Sequence, residues 1–417
     1  MSTNRGRGLL FQRRQSERLK YTPLLSKPLT SMKLTGVRVI DLSLFLPGPH
    51  LTGIMADHGA EIIKVEPYPH GEPARHAPYQ QAGHSVWFRN IARGKKSIRL
   101  NLKDPRGKEI LFKLCDKADV FVESFRPGVM KRLGIDYATI AARAPQIIYC
   151  SISAFGQSGK YSTKPAHDPA IQAMAGVASV TRGRDGYPAM PGIAAADMTG
   201  SLMALSGVLM ALVAQRATGK GDYLDVAMMD SLMACMPQVL GPVFLENRAP
   251  VPQHERSWGG GAFNNPYETK DGLFLMMGGM EVHFAKNVLT KAGRPDLVPL
   301  CEQPSGPVQD PVKAFLREFF KTRTLDEWDA WFADVDAGWA PIRDLHQAFF
   351  DPATAERGML LHDEEGIPHV GVPIKFANEP GQPNFHVPRL GEHARAILNG
   401  LGYADAEVDA LMRENVL

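Results

Sequence analysis

The chain has 417 residues, 44% of them hydrophobic, enough for a sizeable core and too many for one ordinary domain. Lysine and arginine total 47 against 44 acids, so the net charge of +3 excludes a global attraction to nucleic acid or an anionic membrane, and any anion site must be local. The four scattered cysteines show neither paired spacing nor a nearby histidine pattern for a metal, no run approaches about 18 consecutive apolar residues, and no signal-peptide core opens the chain, so a soluble, cytoplasmic, metal-free protein is expected.

Residues 1–31 carry five arginines, two lysines and a single acid, Glu17, with no sustained apolar period. They read as a basic, disordered leader or an upstream start before Met32, with a nucleic-acid arm or a targeting segment as the other readings. From Met32 the pattern changes. Val37 to Leu42 is a β-branched strand, Pro47-Gly48-Pro49 a loop, Leu51 to His58 a helix stopped by Gly59, and Glu61 to Glu66 the next strand. Strand, helix and strand within about 30 residues make a βαβ unit with a parallel sheet. Lys96 to Leu100, Asp119 to Ser124 and Ile147 to Ser153 continue it as strands, with a helix over 105–118, so the first half is expected to be doubly wound α/β. No GxGxxG follows the first strand and no P-loop pattern occurs. Ligands of open α/β sheets bind outside the carboxyl ends of the strands. The turn-rich loops there include Ser124-Phe125-Arg126-Pro127-Gly128, which places an aromatic ring and a cation to meet a flat anionic ligand.

The segment Lys164-Pro165-Ala166-His167-Asp168-Pro169 sets a titratable pair between two prolines, which stiffen it. Asp168 reads as the N-cap of a helix starting at Pro169, with a functional carboxylate as the competing reading. Asp197 is a second acid at a helix start, before an almost uninterrupted apolar helix over 201–215 in which Gly200 and Gly207 permit close approach. The polar, proline-containing stretch 248–258 marks a boundary. After it come Gly259-Gly260-Gly261, a hairpin around Asp271-Gly272, and Glu281 just beyond a glycine pair at a strand end. The expected organisation is a large α/β domain over 32–225, linker helices and a small α+β domain over 226–340, and a return to the large domain over 341–417.

Seven blocks, in order, resemble the class III coenzyme A transferase family, which also contains the α-methylacyl-CoA racemases. They are Val39 to Leu42 with Pro47-Gly48-Pro49, Gly59 to Glu66, Gly94 to Ile98, Phe125 to Gly128, Phe155 to Gly159, His167-Asp168, and Gly219-Lys220-Gly221. The resemblance implies a Rossmann-like large domain built from both chain ends, a smaller domain from the middle, and two chains interlocked as a homodimer. It implies acyl-CoA and a carboxylic acid as substrates. Asp168 would attack the donor thioester to give a mixed anhydride and then an aspartyl-CoA thioester, with His167 orienting it. Gly259, Gly260 and Gly261 would match a flexible loop that shields those intermediates. Ser124, Phe125, Arg126 and Arg132, with Lys64, Lys95 and Lys96, would hold the adenine and phosphate end of coenzyme A. The alternative the same resemblance implies is α-proton exchange by His167, Asp197 and Glu281, as in the racemases. Gln172-Ala173 and the tail motif Arg389-Leu390-Gly391-Glu392-His393 favour the transferase.

Overall fold

The computed structural model describes residues 31–183 and 185–417, so nearly all of the basic leader lies outside the described residues. Six strands form one parallel sheet: β1 (Arg38–Asp41), β2 (Glu61–Pro67), β3 (Lys96–Leu100), β4 (Val120–Glu123), β5 (Ile148–Ser153) and β6 (Asp222–Ala227). Their spatial order is 3-2-1-4-5-6, with Val39 opposite both Ile62 and Val120. The order reverses between β1 and β4, the place where open α/β sheets bind their ligands. Both faces of the sheet are covered, so the strands read as near-continuous apolar runs instead of alternating ones. Val39, Ile62, Val120 and Ile148 pack on one side, Ile40, Ile63, Phe121 and Tyr149 on the other.

Helix α1 (Pro47–Asp57) begins at the prolines that the sequence suggests are loop. Proline at a first helical position forfeits no hydrogen bond, because that N–H has no partner in a helix anyway. Gly48 is required here, since a Cβ would stand 2.2 Å from that of Ser43. Helix α2 (Pro105–Cys115) is capped by Asp104. Helix α3 (Asp168–Met174) starts one residue earlier than expected, with His167 at its N-cap and no side-chain cap. The 24-residue α4 (Ala195–Thr218) lies on the sheet through Ala204, Leu205, Val208 and Leu212. Gly200 and Gly207 let it approach, since a Cβ there would meet Met228 at 2.7 Å and Leu224 at 2.6 Å. Among the described residues α4 alone is long and apolar enough to cross a membrane. Its inner face is packed on the sheet, whereas Leu202, Met203, Leu209, Met210 and Val213 are exposed.

A second core surrounds an antiparallel sheet of β7 (Asn264–Glu268), β8 (Phe274–Gly278) and β9 (Trp339–Pro341), in the order 9-8-7. Helices α5 (Val282–Lys291), α6 (Asp310–Phe320) and α7 (Leu325–Phe332) cover it through Val288, Leu316 and Trp328. The chain then returns: α8 (Ala394–Gly400) and α9 (Asp405–Arg413) pack Leu398 and Val408 into the core around Ile40 and Phe121. The segment Val372 to Phe376 makes that return without forming a strand.

Beneath the loop after β1 lie two buried lysines. Lys64 donates to the carbonyl of Ser43 at 2.8 Å and pairs with Glu72 at 3.0 Å. Lys95 donates to Asp41 at 3.1 Å, Thr52 at 2.7 Å and the carbonyl of Pro49 at 2.9 Å. Burial pushes the Lys95 ammonium down to about 8, against the pull of Asp41. Burial would raise the Asp41 carboxyl, but the two ammonium groups and the Ser43 and Thr52 hydroxyls hold it well below the usual range. Breaking such a pair leaves an uncompensated buried charge. Lys64→Met is therefore expected to lower stability by about 3–5 kcal/mol in urea unfolding, with Lys64→Met/Glu72→Gln recovering more than half. An unchanged midpoint for the single variant would contradict this role.

Candidate active site

The site is built at the carboxyl edge of β1, β4 and β5. Asp168 is buried at the start of α3, and its carboxylate bridges its own helix and α4. One oxygen accepts the N–H groups of Ala196 at 2.7 Å and Asp197 at 3.1 Å; the other accepts the Gln172 amide at 2.7 Å. Asp168 thus caps α4, satisfying two of the free amides of that helix's first turn and meeting the positive end of its dipole. Gln172 is held in turn by the carbonyl of Ile193 at 3.2 Å. The cap expected on its own helix is not formed, since His167 holds that position, and Asp168 caps α4 instead. Asp197 lies beside it in the first turn of α4, where burial, and then the charge of Asp168, push its carboxyl up to about 6. His167 is exposed, with its ring edge-on to Phe45 at 6.0 Å.

A cavity of about 250 Å³ is lined by Glu123, Arg126, Gly128, Lys131, Asp136, Tyr137, Tyr149, Ser151, Gln157 and Tyr223. Tyr137 stacks on Tyr223 at 5.0 Å, giving the cavity an aromatic side. Glu123 ends β4, accepts the Ser151 hydroxyl and the Phe125 N–H, and is pushed up by burial to about 7. Sequence reading passed over Glu123, although an acid closing an apolar strand was its signal. It also passed over Asp185, exposed on the turn Gly183–Tyr187 between α3 and α4, which accepts the Tyr187 N–H at 3.0 Å. Here the signal was Arg-Asp-Gly-Tyr-Pro, a turn pattern that sets an acid at a tip.

The other residues singled out fall in several places. Ser124 accepts the Leu44 N–H at 2.9 Å and so ties the loop after β4 to the loop after β1; Arg126 and Arg132 are exposed, and Phe125 packs partly into the core. Lys64 and Lys95 are not exposed to a phosphate: their ammonium groups are engaged beneath the loop. Lys96 opens β3, at the opposite end of the sheet, and pairs with Glu61. Glu281 is exposed at the start of α5, and no contact among the described residues joins it to His167 or Asp197. Gly259 to Gly261 form a packed turn, not a free loop. Asn265 binds the carbonyls of Gly259 and Gly261, and a Cβ on Gly260 would stand 2.5 Å from the backbone of His254.

One group of side chains among the described residues has metal-ligand proximity: His386, Glu392 and His393, at the edge of β3. The Nδ1 of His393 accepts the Ser97 N–H at 3.2 Å, which puts the ring proton on Nε2, and His386 is bonded to Glu392 at 2.8 Å. A neutral imidazole with its proton on the outward nitrogen offers no lone pair there. The geometry suits the clamping of the C-terminal tail to the sheet edge.

The family model for CoA-transferase family III matches residues 34–394. The chain is 31% identical over 430 residues to the succinyl-CoA:glutarate CoA-transferase of Mus musculus, covering 99% of this chain and 94% of that protein. It is 30% identical over 391 residues to the α-methylacyl-CoA racemase of Homo sapiens, covering 93% and 98%. Among solved structures, a CAIB/BAIF family protein from Brucella suis superposes with a TM-score of 0.76 at 27% identity, covering 89% of this chain and 100% of the other. An α/β protein with a parallel sheet of this order, matched over most of its length, the chain belongs to CoA-transferase family III and is an enzyme of that family.

Proposed function

We propose that the enzyme moves coenzyme A from an acyl-CoA to a carboxylic acid through covalent aspartyl stages. The observation that carries this reading is the carboxylate junction at the carboxyl edge of the sheet, together with a cavity of aromatic and cationic lining at the loop after β4. Tyr137 and Tyr223 offer faces for an adenine, and Arg126, Lys131 and Arg132 offer charge for phosphates. In the reaction, a carboxylate oxygen attacks the donor thioester and expels the coenzyme A thiolate. The thiolate then attacks the aspartyl carbonyl of the anhydride and releases the donor acid. The acceptor carboxylate reverses both steps. Splitting one transfer into covalent stages lowers each barrier.

Asp168 is the nucleophile expected from sequence. Its oxygens already accept three hydrogen bonds in a buried setting, which fits it for holding charge and position. Accessibility favours Asp185, which is exposed on the segment joining α3 to α4 and accepts one hydrogen bond among the described residues. We therefore assign the attack to Asp185 and the anchoring of the junction to Asp168. The exposed apolar face of α4 is the surface a homodimer would bury. The racemase reading draws on His167 and Asp197, which flank Asp168, and requires Glu281 to arrive from the small domain of a second chain.

Transfer from acetyl-CoA to an acceptor acid, followed by chromatography in heavy water, separates the readings. Acyl exchange without α-deuteration supports transfer; α-deuteration of 2-methylacyl-CoA without exchange overturns it. Asp185→Asn is expected to lower transfer by at least about 10³-fold with an unchanged unfolding midpoint. Asp168→Ala, which strands two buried amides, is expected to lose about 2 kcal/mol of stability as well as activity. Equal stability of Asp168→Ala and the parent would contradict the anchor. The Asp197 carboxyl is raised in the fold, so its ionisation weakens the fold as pH rises from about 4 to 6. Asp197→Asn should remove that slope and gain up to about 3 kcal/mol above pH 6. Calorimetry across pH 4–7 checks this.

A further inference from the structure

Phe45 sits in the loop after β1 with φ at +63°, a region that costs a bulky residue about 1–2 kcal/mol. The conformation is imposed from below. Its N–H donates to Glu72 at 2.8 Å, Glu72 is fixed by buried Lys64, and Lys64 also holds the carbonyl of Ser43. The ring is thereby turned outward and left 41% exposed, 6.5 Å from Trp87, itself 40% exposed, and 6.0 Å from His167. Trp87 stands on the short helix Val86–Ala92, whose cap Ser85 is buried, so its position is set by a rigid element. Three rings thus converge beside Asp168, half-exposed, at the point where the strand order reverses. A strained backbone that holds an apolar ring out of the core indicates a use for that ring.

Resting on the transfer reading above, we propose that Phe45, Trp87 and His167 form the wall that receives the acyl group of the thioester, and that it selects aryl and other bulky apolar acyl groups over short or dicarboxylic ones. The spacing of the rings leaves no slot for a planar group between Phe45 and Trp87, so the acyl group lies against their faces. Edge and face contacts with aromatic rings favour another aromatic group. Cations on the stretch that carries Trp87 are committed elsewhere: Arg75 to Glu66, Arg89 to Gln81, and Arg93 to Asp57.

The test compares kcat/KM for benzoyl-CoA, acetyl-CoA and succinyl-CoA in the parent, Trp87→Leu and Phe45→Gly. The parent is expected to prefer benzoyl-CoA, and the benzoyl-to-acetyl ratio to fall about tenfold or more in both variants. Phe45→Gly should melt no lower than the parent, because glycine tolerates the backbone conformation. That result separates loss of the wall from loss of structure. A parent that prefers succinyl-CoA, or a ratio unchanged in both variants, overturns the proposal. Absence of transfer from any donor would count against the transfer reading alone, and the wall is then judged by calorimetric titration with benzoyl-CoA. A Kd raised about tenfold in both variants sustains it, and an equal Kd overturns it.

Discussion

The structure depends on one carboxylate at one helix end. Asp168 leaves its own helix uncapped and accepts two amides from the first turn of α4, so the N-termini of α3 and α4 are pinned together across the intervening 175–194 segment. That contact fixes where the segment can emerge. It turns His167 outward, brings Asp197 beside a fixed negative charge, and leaves the turn bearing Asp185 at the surface. A charge-assisted bond to free helix amides is among the stronger ways to hold two elements in register.

A second layer of buried charge supports the loop after β1. Asp41, Lys95 and Thr52 lock the end of β1 to α1, while Lys64 and Glu72 lock the loop that follows. Buried ion pairs add little net stability compared with apolar packing, but they fix geometry where each partner's hydrogen bonds are satisfied. Here the geometry they fix is the left-handed conformation of Phe45. The sheet end therefore bears the Phe45 and Trp87 rings beside His167, the neighbour of the pinned Asp168.

Much of the large domain was legible because its strands are covered on both faces. Val39 to Leu42 and Ile148 to Ser153 announce themselves as short, continuous apolar runs. The pairing order was not legible, because which parallel strand lies beside which is decided by distant contacts. Local pattern also placed Asp168 at a helix start but could not show that its partner amides lie 28 residues on, in another helix. The resemblance implied that Lys64 and Lys95 hold the phosphate end of coenzyme A, whereas both are buried. The contrary signal was Lys64 set within Ile62, Ile63 and Val65, where a strand buried on both sides has no solvent to offer it. The resemblance implied a flexible loop for the three glycines at 259–261; the structure packs Gly260 where a Cβ would stand 2.5 Å from the backbone of His254.

The most direct test of the account is to trap the covalent stage and locate it. The enzyme is incubated with acyl-CoA, quenched with borohydride or hydroxylamine, digested, and the modified aspartate identified by mass spectrometry. The account predicts modification at Asp185 with Asp168 intact. Modification at Asp168 would show that the pinned carboxylate is itself the nucleophile, and no modified aspartate under turnover would contradict covalent transfer altogether.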